Sequence, residues 1–123
     1  MTDRFHIAIV GSGPGGLSAA ARAAEYDLET GKQDSAHRPS HILIEEFQSP
    51  AKTLHRYQKG KHVMAEPHFL DLRSPLQFRA GTREMILQWW ARGIEEKRIN
   101  VRYGAEVTGV EGEKGDFRIS LKD

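Results

Sequence analysis

The sequence contains no cysteine. That excludes a disulfide framework, a thiolate zinc or iron–sulfur site and a redox-active dithiol within the chain. Any redox chemistry must therefore belong to a bound group. Long hydrophobic runs are also missing, since no apolar stretch approaches the ~20 residues that span a bilayer. The opening MTDRFHIAIV carries Asp3 and runs straight into a glycine loop, so it does not read as a signal peptide. Excess charge is absent too: a net charge of +1 gives no electrostatic case for nucleic acid or an anionic membrane. Of the six histidines, His37 and His41 stand in loop sequence, with no acid or cysteine to complete a ligand set, so no metal site is expected. Ser12 and Ser18 have no histidine placed near them by sequence, and no catalytic residue is assigned. With 123 residues, 38% hydrophobic and 28% charged, the chain is expected to form one globular domain with a modest core.

What the sequence does have is concentrated near its start. The apolar run Ile7-Ala8-Ile9-Val10 has the length and composition of a fully buried parallel strand. It leads directly into Gly11-x-Gly13-x-x-Gly16, and then into an Ala-rich stretch containing Leu17 and Ala20 that favours helix. A second apolar run, Ile42-Leu43-Ile44, ends in Glu45. Strand, glycine turn, helix, strand and acid in that order form the fingerprint of a dinucleotide-binding β-α-β unit.

Each residue type has a physical task in such a unit. Gly11 can take the positive φ of the turn. Gly13 lacks a Cβ that would block main-chain approach to a pyrophosphate, and Gly16 lets the helix lie close to the strand. Pro14 suits the first helical position, so the helix would present unpaired N–H groups to an anion. Glu45 is the expected acceptor for a ribose hydroxyl pair and would repel a 2′-phosphate, with Glu46 as the fallback. The acid normally follows the glycines by ~20 residues, and here the gap is longer. The polar segment Asp27–His41 is expected to be an inserted surface loop.

From Phe47 to Pro75 the periodicity is lost, and an irregular excursion with short helical turns is expected. Its basic stretch (Lys52, His55, Arg56, Lys59, Lys61 and His62, with Tyr57 among them) reads as a solvated loop face, a phosphate or acidic-partner contact being the sharper alternative. Thr82–Arg98 predicts a helix with Thr82 as N-cap and with Ile86, Trp90 and Ile94 on one face. Asn100 is expected to end it in a left-handed conformation. Gly93 inside that helix implies close packing. Val101-Arg102-Tyr103 starts a third strand, and EGEKGD joins two alternating strands as a hairpin.

The segment IVGSGPGGLSAA, with Pro14 and Leu17 in those places, and the later VRYGAEVTGVEGEKGDFRISL resemble the FAD-dependent pyridine nucleotide oxidoreductases of the thioredoxin reductase and glutathione reductase superfamily. The resemblance implies an α/β, Rossmann-like three-layer FAD/NAD(P)-binding fold, here an incomplete parallel sheet with part of a β-meander. The whole chain 1–123 would be the N-terminal part of an FAD-binding domain. Gly11, Gly13 and Gly16 would hold the FAD pyrophosphate, with the N–H groups around Ser12, Pro14 and Gly15 nearby. Glu45 would bind the adenosine ribose, and Val107 would offer main chain to the adenine ring. NAD(P)H is the implied electron donor, and the cytoplasm the implied compartment. The glycine pair that often follows the family's ribose acid is missing, and the sequence ends before the family's nicotinamide and flavin-closing parts. The strand Ile7–Val10 would then carry an open edge, which is expected to pair with the remainder of a longer protein or with a second copy. Without those parts the portion is expected to be inactive alone. A non-catalytic NAD-binding or sensing module is the alternative.

Overall fold

The computed structural model describes residues 3–31, 39–63, 69–70, 75–76 and 78–122. In chain order the elements are β1 (Ile7–Val10), α1 (Pro14–Thr30), β2 (His41–Ile44) and a single-turn α2 (Lys52–His55). Short strands β3 (His62–Val63), β4 (Phe69–Leu70), β5 (Phe78–Arg79) and β6 (Gly81–Thr82) follow, then helix α3 (Arg83–Glu96). Strand β7 (Val101–Arg102) and the hairpin β8 (Val107–Glu113) and β9 (Asp116–Leu121) complete the described chain. The central feature is a parallel sheet in the order β1-β2-β7. Ile7 pairs with His41, Val10 with Ile44, and Leu43 with Val101. The fold is thus mixed α/β around a partial Rossmann-like sheet.

Small residues bring α1 onto the sheet. Gly11 takes φ 94° as the chain leaves β1. A Cβ on Gly16 would lie 1.9 Å from the Gly11 carbonyl oxygen, so only glycine allows this approach. One face of α1, with Leu17, Ala20, Ala21 and Ala24, then packs into a core shared with Leu43 of β2, Leu54 of α2, and Ile86 and Trp90 of α3. Thr82 caps α3 as expected, its hydroxyl accepting from the Met85 amide at 3.2 Å. Gly93 fits tightly against Leu76, whose Cδ1 would stand 2.3 Å from an added Cβ.

Several expectations are corrected. The β1 run is not fully buried: Ile7 is 48% and Val10 56% exposed. The reason is position, because among the described residues β1 has a neighbour on one side only. Helix α1 continues through Thr30 and ends at Gly31 in a left-handed conformation (φ 61°), so Asp27–Thr30 is helix and not the start of an inserted loop. His41 likewise belongs to β2, and residues 32–38 of the expected insertion lie outside the described residues. Within the stretch read as irregular, α2 is a short helical turn as expected, but β3 and β4 are strands, paired with β6 and β5 beyond it. Asn100 does not end α3; the left-handed residue there is Arg98, at φ 56°.

Asn100 has another use. Its backbone amide donates to His41 Nε2 at 3.0 Å, and its side-chain amide donates to the His41 carbonyl at 2.9 Å. With Nε2 accepting, the His41 proton sits on Nδ1, which faces Asp27 Oδ2 at 3.3 Å. The same Asp27 oxygen accepts the Ser40 amide at 3.1 Å. A completely buried histidine thus ties the end of α1, the start of β2 and the approach to β7.

Burial lowers the His41 pKa below its ordinary 6.5, against the opposing pull of Asp27. The unfolded chain therefore takes up this proton first. Stability present above pH 6.5 should be lost progressively as the pH falls through the lowered folded-state value. Urea denaturation across this window should show that slope, and H41Q should flatten it. An equal slope in both proteins would contradict the role given to His41.

Candidate functional site

The turn after β1, the end of β2 and the start of α2 meet at one buried side chain. Ser12 is completely buried. Its hydroxyl donates to Glu45 Oε1 at 2.5 Å and accepts the Ala51 amide at 3.1 Å. Its own amide donates to the same Glu45 oxygen at 3.0 Å, while Glu45 Oε2 accepts the Phe47 amide at 2.8 Å. Burial alone would raise the pKa of this carboxyl. The donors from Phe47 and Ser12 outweigh that effect and hold it below the ordinary carboxylate value. Glu45 is therefore ionised at neutral pH and only 6% exposed. Burial, helped by the Glu45 charge, raises the pKa of the nearby Tyr103 phenol.

Ser12, Glu45 and Ala51 line a cleft of about 370 Å³. Its walls include Gly11, Ser12, Gly13 and Pro14 from the turn, Glu45 and Glu46 after β2, Ala51 to Leu54, and Val107 of β8. Seven of the expected site residues are thus brought together: Gly11, Ser12, Gly13, Pro14, Glu45, Glu46 and Val107. Gly15 lies beside the cleft in the first turn of α1 without lining it, and Gly16 lies behind it, against Gly11. Glu46 is exposed and paired with Lys52. Both also border a second, polar cleft of about 460 Å³ with Gly104, Glu106 and Lys122.

Sequence reasoning missed the Ala51–Leu54 wall and assigned Lys52 to a solvated face. Ala51 shows why: it sits at φ 60°, ψ 56°, in the left-handed region where a glycine would be the readable signal. The rest of the basic stretch is exposed or engaged locally, with Lys61 over the Tyr57 ring at 4.7 Å. Trp90 is a buried core residue that also reaches the cleft wall, while Trp89 is half-buried beside the core. Ser49 and His55 form a hydrogen bond of 2.9 Å that spacing did not predict. Neither lines the cleft, and among the described residues no acid orients the His55 ring.

No family model and no curated protein sequence matches the chain. Solved structures do match. A bacillithiol disulfide reductase from Staphylococcus aureus superposes with a TM-score of 0.69 at 17% identity, over 98% of this chain and 34% of that one. A flavin-containing monooxygenase from Stenotrophomonas maltophilia gives 0.69 and 17% over the same shares. A ferredoxin-flavin thioredoxin reductase from Clostridium acetobutylicum gives 0.63 at 22%, over 98% and 33%. The likeness is one of fold, and the chain spans about a third of the length of the structures it matches.

The contrast between the two acids is testable. Removing the Glu45 carboxylate orphans the buried Ser12 donors, at a cost of about 1–3 kcal/mol each, and frees the half-buried Phe47 amide. Breaking the exposed Glu46–Lys52 pair should cost ~0–1 kcal/mol. In chemical denaturation E45A should therefore be much less stable than E46A. Equal losses would show that Glu45 does not hold the loop.

Proposed function

We propose that this chain is the FAD-binding portion of a flavin-dependent NAD(P)H oxidoreductase, and that its first cleft receives the pyrophosphate and adenosine ribose of FAD. The observation that carries the reading is the space around Gly13. Its backbone is ordinary (φ −70°, ψ −175°), and an added Cβ would meet no atom of the chain within 4 Å. Neither strain nor internal packing asks for glycine there. Close approach of a ligand to the main chain does. The start of α1 points the same way, with Pro14 in the first turn, no side-chain cap and no acidic residue to compete for its amides.

In this reading Gly11, Gly13 and Gly16 shape the loop, the Ser12 amide is spent on Glu45, and the first turn of α1 around Gly15 supplies the main-chain donors toward the pyrophosphate. Glu45 and Glu46 are the candidate ribose acceptors, and Val107 lies where main chain would meet the adenine. FAD would supply the hydride chemistry, leaving binding and electrostatics to the protein. NADP stands beside FAD in one structural neighbour's complex; for this chain NAD(P)H remains the proposed donor of a complete enzyme, one that works in the cytoplasm. The portion alone carries no assigned catalytic residue and is proposed to be inactive. The free edge of β1 is proposed to take another strand, from the rest of a longer polypeptide or from a second copy. Light scattering should accordingly show self-association of the isolated chain, suppressed by V10K; a clean, stable monomer would count against it.

Titration of FAD followed by tryptophan fluorescence tests the cofactor. FAD should quench saturably, and Gly13→Ala should weaken binding by about tenfold or more, because its methyl occupies the ligand's approach. The same substitution should leave the melting temperature nearly unchanged, since the methyl meets no protein atom. Saturable binding of NAD with no response to FAD would replace this reading by that of an NAD-binding module.

A further inference from the structure

The side chain at the second position of a glycine fingerprint is not needed by a phosphate that main chain binds, so it is free to do something else. Here it does. Ser12 contacts residues 33 and 39 positions away, and its hydroxyl is used as donor and acceptor at once. The direction is fixed by chemistry: the Ala51 amide can only donate and the ionised Glu45 can only accept. The bonds therefore run in one order, from Ala51 N–H to Ser12 Oγ and from Ser12 O–H to Glu45 Oε1. At the donor end stands a non-glycine residue in a left-handed conformation, which costs about 1 kcal/mol unless its surroundings hold it. Immediately after it come Lys52, Thr53 and Leu54, which line the cleft. At the acceptor end stands the carboxylate expected to read the ribose.

We propose that Ser12 is a positioning residue of the dinucleotide site. Its hydroxyl sets the glycine turn, the Glu45 carboxylate and the Ala51–Leu54 wall as one preformed unit. The effect on binding rests on the FAD reading above; the effect on the free chain rests on the geometry alone. Preorganisation of this kind raises affinity by lowering the ordering cost paid when the ligand binds.

The test uses S12A, E45Q and the double variant S12A/E45Q, with S12G standing in if S12A does not fold. Amide hydrogen exchange of the free chain comes first. S12A should speed exchange at Ala51 by about tenfold relative to amides in the core of α1, consistent with loss of one buried hydrogen bond. FAD affinity should fall by about tenfold in S12A, and this loss should vanish in the E45Q background because Ser12 acts through Glu45. A merely structural serine would lower protection throughout the chain and give additive losses. Unchanged Ala51 exchange in S12A, or a full additive loss in the double variant, overturns the proposal. If the wild-type chain fails to bind FAD while S12A still frees Ala51, the positioning role stands and the cofactor reading falls.

Discussion

The geometry of the cleft depends on a buried carboxylate that is kept ionised. Glu45 leaves β2 at the point where the chain would otherwise be free to diverge from the glycine turn. An uncompensated carboxylate at that depth would be costly. Three donors from two separate stretches compensate it, and in doing so they hold those stretches together. Because Ser12 carries one of these bonds onward to Ala51, the same charge also fixes the entry into α2. The walls of the cleft are thus tied to one another by hydrogen bonds within the chain.

The opposite end of the sheet is built differently. The buried His41, held by Asp27 and Asn100, closes the sheet at the end away from the cleft, so β2 is anchored at both ends. Among the described residues, strand β1 is anchored on one side alone. Phe117 on the hairpin is 62% exposed and Val110 is likewise exposed, as are Ile7 and Val10 on β1. Parallel strands are ordinarily covered on both sides. The matched structures are about three times as long as this chain.

How much of this was legible follows from where the information lies. The β-α-β unit, the glycine turn and the close pass of Gly16 could be read because each depends on local residue types at fixed spacing. The cap at Thr82 and the tight fit of Gly93 were readable for the same reason. The exposure of β1 was not, since an apolar run states only that a strand wants burial, whereas burial depends on neighbours elsewhere. The length of α1 was misread because Asp27, Glu29 and Thr30 look like loop residues; Asp27 is helical and buried through its contacts with Ser40 and His41. The Ala51 wall was hidden because the residue type there contradicts its backbone conformation, and only the distant Ser12 explains it.

The central claim is that the space above Gly13 and beside Glu45 receives the adenosine diphosphate part of a dinucleotide. Mapping backbone amide shifts of the labelled chain during titration with ADP tests it most directly. The account predicts saturable shifts clustered at Gly11–Gly16, Glu45–Phe47 and Val107, with the amides around His41 and Asn100 unmoved. Shifts confined to the exposed basic stretch around Lys59 and Lys61, or no saturable shift at the glycine turn, would contradict it.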